Sequence, residues 1–224
     1  KRSESYRIGM AITWPVRSVV KACREVWRNR PHEITVANAI GIRDTMATVM
    51  IRARYKGTVR VSVIIPMYNA AEYLGKCLKS VCAQTLRELE IICVDDGSSD
   101  DSVRIVRRYA KKDGRIVLIR QKNLFAGIAR NAGLMVAKGK FVHFLDADDW
   151  VDEHTYERLY AIAEKCGCDF LKFRSFTYDN QTGALKRSYF TDMGGVPTAL
   201  YERPIRFMDH YKDLVKCSDA PWSG

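Results

Sequence analysis

From residue 61 onward the chain alternates short, strongly apolar runs with stretches of helical periodicity, and this alternation limits the available folds more than any other feature. Val61–Pro66 is a β-branched run stopped by proline, Tyr73–Ala83 is helical, and Glu90–Val94 is a second apolar strand. Asp100–Lys112 follows as a helix with charged outer positions. Then come a strand at Arg115–Arg120, a helix at Ala126–Ala137 and a fourth apolar run at Lys140–Leu145 that ends in acid. Strand and helix in succession predict parallel strands joined by crossover helices, an α/β layer fold. Such sheets bind ligands at the carboxyl ends of their strands.

The 224 residues, 25.6 kDa in all, suffice for one sizeable core, or a core plus an appendage. With 47% hydrophobic and 28% charged residues, and no apolar stretch near the ~20 residues of a bilayer span, disordered and membrane-spanning classes are excluded. The net charge of +11 is unevenly placed: residues 1–60 hold 13 Lys/Arg against 4 Asp/Glu, and the remaining 164 hold 24 against 22. We therefore divide the chain into a basic, helical N-terminal extension over residues 1–59 and an α/β domain over 60–224.

Within the extension, Ile8, Ile12, Val16, Val19, Cys23 and Val26 recur at helical spacing over residues 5–30. Arg17, Lys21, Arg24 and Arg28 form another face, and Pro15 would kink the helix. Such a basic amphipathic helix fits an anionic membrane surface through residues 1–30, or else packs on the neighbouring domain. A second helix is expected over 34–56, ending at Gly57. Nucleic acid is not expected as a partner. Seven cysteines, an odd number in a chain too large to need stapling, point to reduced thiols and a cytoplasmic setting; the basic helix adds the alternative of a peripheral place on the cytoplasmic face of a membrane. Cys166-Gly-Cys168 lacks the two-residue gap of zinc sites and has no second Cys/His pair. Beginning at Lys1 with no apolar signal core, the chain is expected to be a piece of something longer.

Three polar clusters fall at strand ends: Pro66-Met-Tyr68-Asn69, Asp95-Asp96-Gly97-Ser-Ser-Asp100, and Asp146-Ala-Asp148-Asp149. In a parallel sheet all three meet on one rim. Carboxylates crowded there repel one another unless a cation neutralises them, and a divalent metal with oxygen ligands, Mg2+ or Mn2+ rather than zinc, answers that need. Each cluster also has a plainer reading: Ser99 or Asp100 as a helix N-cap, Asp146–Asp149 as a loop, Tyr68 as an edge cover. A receiver domain needs a phospho-accepting Asp after the third strand, where Arg120-Gln121-Lys122 stands instead. Haloacid-dehalogenase-like phosphatases place their acidic pair on the first strand, not the fourth.

Val61 through Asn69, Val94 through Asp100, Asn123 through Gly127 to Ala129-Arg-Asn-Ala-Gly133, and Phe144-Leu-Asp-Ala-Asp-Asp-Trp150 resemble the successive signatures of the family 2 glycosyltransferases of the GT-A fold. The likeness covers about residues 60–175. It implies a metal-dependent, inverting transfer of a sugar from a nucleotide-diphosphate donor, UDP-linked, to a hydroxyl of a glycan or lipid-linked acceptor in cell-surface polysaccharide synthesis. By the same resemblance, Pro66, Tyr68, Asn69, Asp95, Asp96 and Gly97 belong to the nucleotide pocket, Tyr68 by stacking and Asp96 by accepting from the base. Arg130 would lie near the base or diphosphate, Asp146 near the ribose, and Asp148 with Asp149 at Mn2+ or Mg2+. The base that deprotonates the acceptor is expected beyond Gly224. Ser3 through Gly9 with Trp14 through Arg17 are similar to the tether that precedes such domains in long bacterial glycan-assembly proteins. The rival reading is a non-catalytic nucleotide-, nucleic-acid- or membrane-binding module with a degenerate acidic rim.

Overall fold

The computed structural model describes residues 5–7, 48–167, 171, 173 and 175–187. Its strands are β1 (Ser5–Arg7), β2 (Thr48–Ile51), β3 (Val61–Met67), β4 (Leu89–Asp95), β5 (Ile116–Arg120), β6 (Phe141–Phe144), β7 (Phe176–Asp179) and β8 (Leu185–Arg187). Its helices are α1 (Ala71–Cys82), α2 (Ser102–Lys112), α3 (Phe125–Val136) and α4 (Thr155–Cys166). The main sheet runs β2-β5-β4-β3-β6, with β5, β4, β3 and β6 parallel and β2 antiparallel on the edge. A second, antiparallel sheet runs β1-β7-β8. The α/β fold with a mostly parallel sheet is the one the sequence predicts.

The two central strands are buried at every position, seven residues each. Strands covered on both faces need continuous apolar runs rather than alternation, and VSVIIPM and LEIICVD supply them. Pro66 is tolerated in a central strand because of where its nitrogen points. Ile64 accepts from the Leu145 N–H on the β6 side, and Met67 accepts from the Asp96 N–H on the β4 side. Residue 66 therefore faces β6, whose pairing has already stopped at Phe144, so the missing N–H breaks no ladder bond.

Each face of the sheet buries against helices. Leu74, Cys77, Leu78 and Val81 of α1, Val106 and Ala110 of α2, and Tyr156 and Ala163 of α4 join Val63, Ile65, Ile91 and Cys93 in one core. Ala129 and Ala132 of α3 pack with Ile64, Ile92, Val94, Val117 and Ile119 in the other. Gly133 lets α3 approach closely: a Cβ there would lie 2.4 Å from Cγ2 of the fully buried Ile64. At the opposite end of the strands from the polar clusters, the buried Glu90 accepts from the Ser62 hydroxyl at 2.6 Å and from the Lys138 N–H. Ser62 in turn accepts from the Gly139 N–H at 2.8 Å, so one oxygen of this buried carboxylate joins β3, β4 and the turn before β6.

The N-terminal extension differs from its reading as wholly helical. Thr48–Ile51 is a strand paired with β5, where the sequence suggests the end of a helix over 34–56. Thr48, Val49 and Ile51 are β-branched and suit a strand, and β5 would otherwise present an open edge. The sheet thus begins before residue 60. Ser5–Arg7 is likewise a strand, paired with β7, rather than the start of a helix over 5–30. The rest of both expected helices lies outside the described residues, as do Cys23, Cys168 and Cys217. Cys77, Cys82, Cys93 and Cys166 are free thiols. No helix among the described residues is long and apolar enough to cross a membrane.

Replacing Gly133 by Ala is expected to lower the unfolding free energy by about 1–3 kcal/mol, because the stiff Ile64 side chain cannot yield. Chemical denaturation measures this, and a variant as stable as the parent would show that α3 sits farther from the sheet.

Candidate functional site

Parallel strands bring the three polar loops to one rim. Loop 96–101 follows β4, the Tyr68-Asn69 turn follows β3, and loop 145–154 follows β6. With β3 between β4 and β6, the Asp96 and Asp146–Asp149 segments flank the Tyr68 turn, two strand spacings or about 10 Å apart.

The first two loops are bolted together. Asn69 adopts φ +48, and its Oδ1 accepts from the Ser99 N–H at 2.9 Å, the Ser99 hydroxyl at 3.3 Å and the Asp100 N–H at 3.4 Å. Its own N–H donates to the Ser98 hydroxyl at 3.0 Å. The first turn of α1 is capped from the same loop and the start of α2: the Ala70 N–H donates to Ser102 Oγ and the Ala71 N–H to Asp100 Oδ2, both at 2.9 Å. Asp100 Oδ1 accepts from the Ser102 N–H at 2.9 Å. One carboxylate thus serves the N-termini of two helices, where negative charge is favoured.

Asp95 and Asp96 have different surroundings. Asp95 is fully buried; its Oδ1 accepts from the Ser98 N–H at 3.0 Å and its Oδ2 pairs with Arg120 Nε at 3.0 Å. Oδ1 is hydrogen-bonded, whereas Oδ2 is buried without a hydrogen bond and is held by the charge of Arg120. Asp96 is 3% exposed, and its Oδ1 accepts from Gln121 Nε2 at 2.8 Å and the Leu124 N–H at 2.9 Å. Among the described residues its Oδ2 carries no hydrogen bond. Gly97 follows at φ +83, where a Cβ would also come within 3.0 Å of the Asn123 amide nitrogen. A side chain there would push loop 121–125 away.

Tyr68 is 53% exposed on the rim, and Pro66 is buried in β3 behind it. Asp146 is exposed and pairs with an Arg130 guanidinium nitrogen at 2.5 Å, joining α3 to the acidic loop. Asp148 is exposed and Asp149 buried. Burial pushes the Cys77 thiol well above its usual range, and Cys93, Asp149, Asp148 and Asp146 raise it further. No group of three or more His, Cys, Asp or Glu able to hold a metal occurs among the described residues. The donor set nevertheless fits Mg2+ or Mn2+, which bind proteins through one or two carboxylates and take their remaining ligands from phosphate and water.

Several contributors have no local motif to reveal them in the sequence. Gln121 and Arg120 hold Asp96 and Asp95 from the end of β5. Lys76 places its ammonium 3.1 Å from the Trp150 ring centroid and 4.6 Å from that of Tyr178, fastening the end of the acidic loop to α1 and β7. Burial lowers the Lys76 pKa. Beyond the first two loops an open groove of about 480 Å³ is lined by Arg104, Arg107 and Arg120. Arg104 is held by Asp101 and Arg120 by Asp95, so much of its positive charge is already answered.

Residues 62–220 match the family described as Glycosyl transferase family 2. The chain belongs to glycosyltransferase family 2. It is 36% identical over 160 residues to the glycosyltransferase GlyA of Streptococcus pneumoniae, covering 71% of this chain and 22% of GlyA. It is 41% identical over 135 residues to the uncharacterized glycosyltransferase YibD of Escherichia coli, covering 60% of this chain and 39% of YibD. The chain thus spans well under half the length of these relatives. Among solved structures it is similar to S. aureus TarS 1–349 in complex with UDP, at 32% identity and a TM-score of 0.47, covering 49% of this chain and 33% of that one.

In this family 2 domain, Asp100 gives the rim a pH dependence. Burial pushes its pKa up, but hydrogen bonds from the Ser102 hydroxyl and from the Ala71 and Ser102 N–H groups outweigh this and leave it below the usual carboxylate value. A depressed carboxylate stabilises the fold fully above its unfolded pKa of ~3.9, and that contribution is lost as pH falls through the lower folded value. Thermal unfolding from pH 6 to 2 should show a shallower acid loss for Asp100→Asn than for the parent, and parallel curves would contradict this role.

Proposed function

We propose that the domain transfers a sugar from a UDP-linked donor to a glycan or lipid-linked hydroxyl, with inversion at the anomeric carbon and with Mn2+ or Mg2+ as cofactor. The observation that carries this reading is the strand order, which sets the half-satisfied Asp96 carboxylate and the Asp146–Asp149 loop on either side of Tyr68. A base on one flank and a diphosphate on the other match that spacing. Membership of family 2 supports a sugar donor. UDP and UDP-GlcNAc are ligands of TarS, and their extension to this chain is part of the proposal.

Asp96 Oδ2 accepts from a ring N–H of the base, and uracil offers one. Gln121 and the Leu124 N–H fix Oδ1, so the second oxygen meets the base without reorganising. Tyr68 stacks on the base, with Pro66 behind it. Asn69, Asp95 and Gly97 shape the pocket through the loop rather than by touching the donor. Asp146 addresses the ribose and holds Arg130, whose guanidinium suits the diphosphate oxygens. Asp148, with Asp149 beside it, would hold the metal. A divalent cation, when bound, stabilises the negative charge that gathers on the departing nucleoside diphosphate.

The sugar meanwhile acquires oxocarbenium character, and an acceptor hydroxyl attacks from the opposite face. Its proton must pass to a carboxylate, which we place outside the described residues. In keeping with the basic character of residues 1–60, the setting we favour is the cytoplasmic face of a membrane, with residues 1–30 against anionic lipid.

Calorimetry with UDP, with and without Mn2+, tests the proposal. The parent should bind UDP more tightly with the metal, and Asp148→Ala should lose at least ~10-fold in affinity, about 1.4 kcal/mol, only when the metal is present. Binding indifferent to both metal and substitution would leave the non-catalytic module as the better reading.

A further inference from the structure

Phe125 is the most exposed large apolar side chain among the described residues, at 83%, and it opens α3 with φ +70. Both features work against folding. An aromatic residue is strained in the left-handed region, and its ring gains nothing from burial. Strain of this kind persists only where the surroundings enforce it, and here they do. The neighbouring Leu124 N–H is tied to Asp96 Oδ1 at 2.9 Å, and the Asn123 amide rests against Gly97. Phe125 is therefore fixed one residue, ~3.8 Å of chain, from the amide that orients the Asp96 carboxylate.

The strand order supplies the other half. β4 lies between β5 and β3, so the loop that carries Phe125 and the turn that carries the half-exposed Tyr68 stand on opposite flanks of Asp96. We propose that Phe125 is the second aromatic wall of the base pocket. A flat heterocycle whose ring N–H donates to Asp96 Oδ2 lies between Tyr68 and Phe125, and the exposure of Phe125 ends when the nucleotide binds. The inference rests on the nucleotide-donor reading and adds a specificity residue to it. Stacking on both faces selects for a planar base while leaving the sugar and diphosphate free to vary.

Glycine separates strain from recognition, because it relieves the first and abolishes the second. On the full 224-residue chain, Phe125→Gly should raise the Tm, as expected where φ is positive. It should also weaken UDP and UMP by the same factor, roughly tenfold. Phe125→Tyr should retain the parent affinity for both. If Phe125→Gly gains stability and binds UDP as the parent does, the ring is no part of the pocket and the proposal is overturned. It is overturned equally if the substitution instead abolishes self-association or binding to anionic vesicles with UDP affinity intact. If the parent binds neither UDP nor UMP, the nucleotide-donor reading itself fails, and this inference with it.

Discussion

The polar groups at the ends of the central strands satisfy one another before any ligand arrives, and the rest of the site depends on this. Asn69 collects three donors from the loop after β4, Asp100 caps two helices at once, and Asp95 is closed by Ser98 and Arg120. Asp95, Asp96, Ser98 and Ser102 are buried and would be costly to bring together unpaired, whereas Asn69 and Asp100 are exposed and fix the loops by their hydrogen bonds. Paired, they form a rim on which the second oxygen of Asp96 carries no hydrogen bond among the described residues and Asp148 is exposed. The pre-organised groups need not move as the substrate binds, which is the condition under which fixed dipoles and charges contribute most.

The sheet sets the scale of the rim. Four parallel strands, fully buried at the centre, put three loops side by side, and the break in β6 pairing at Phe144 lets its loop turn in beside Pro66. α3 completes the arrangement on the other face. Gly133 lets it lie close on Ile64, and from that position Arg130 reaches Asp146 across the strand ends. Packing deep in the second core and an ion pair at the surface are two ends of one helix. On the first face, Lys76 between Trp150 and Tyr178 ties the acidic loop to the second, antiparallel sheet.

Much of this is legible in the sequence, for a physical reason. Strands buried on both faces must be apolar throughout, so Val61–Met67 and Leu89–Asp95 stand out, and helices that cover them must show a spacing of three and four. The acidic clusters are legible because charge at the end of an apolar run is conspicuous. Whatever depends on contacts far apart in the chain is not. β2 is an exposed edge strand whose Thr, Val, Met and Ile sit in an Ala- and Ile-rich stretch, and only its pairing with β5 makes it a strand. Gln121 meets Asp96 across 25 positions with no motif to announce it. By residue type Asn69 and Asp95 read as ligand-facing groups, yet folding engages the Asn69 oxygen with the neighbouring loop and buries Asp95, a distinction that residue type cannot carry. Phe125 blends into a helical run because neither its positive φ nor its exposure is written in the local pattern.

The central claim is that Asp96 and Asp148 are two ends of a single ligand site. A crystal of this chain grown with UDP and Mn2+, with data collected at the manganese absorption edge, examines that directly. The anomalous peak should lie at coordination distance from Asp148, with the diphosphate beside it and the uracil ring on Asp96. Manganese and base bound apart from one another, or a nucleotide seated instead among Arg104, Arg107 and Arg120, would contradict it.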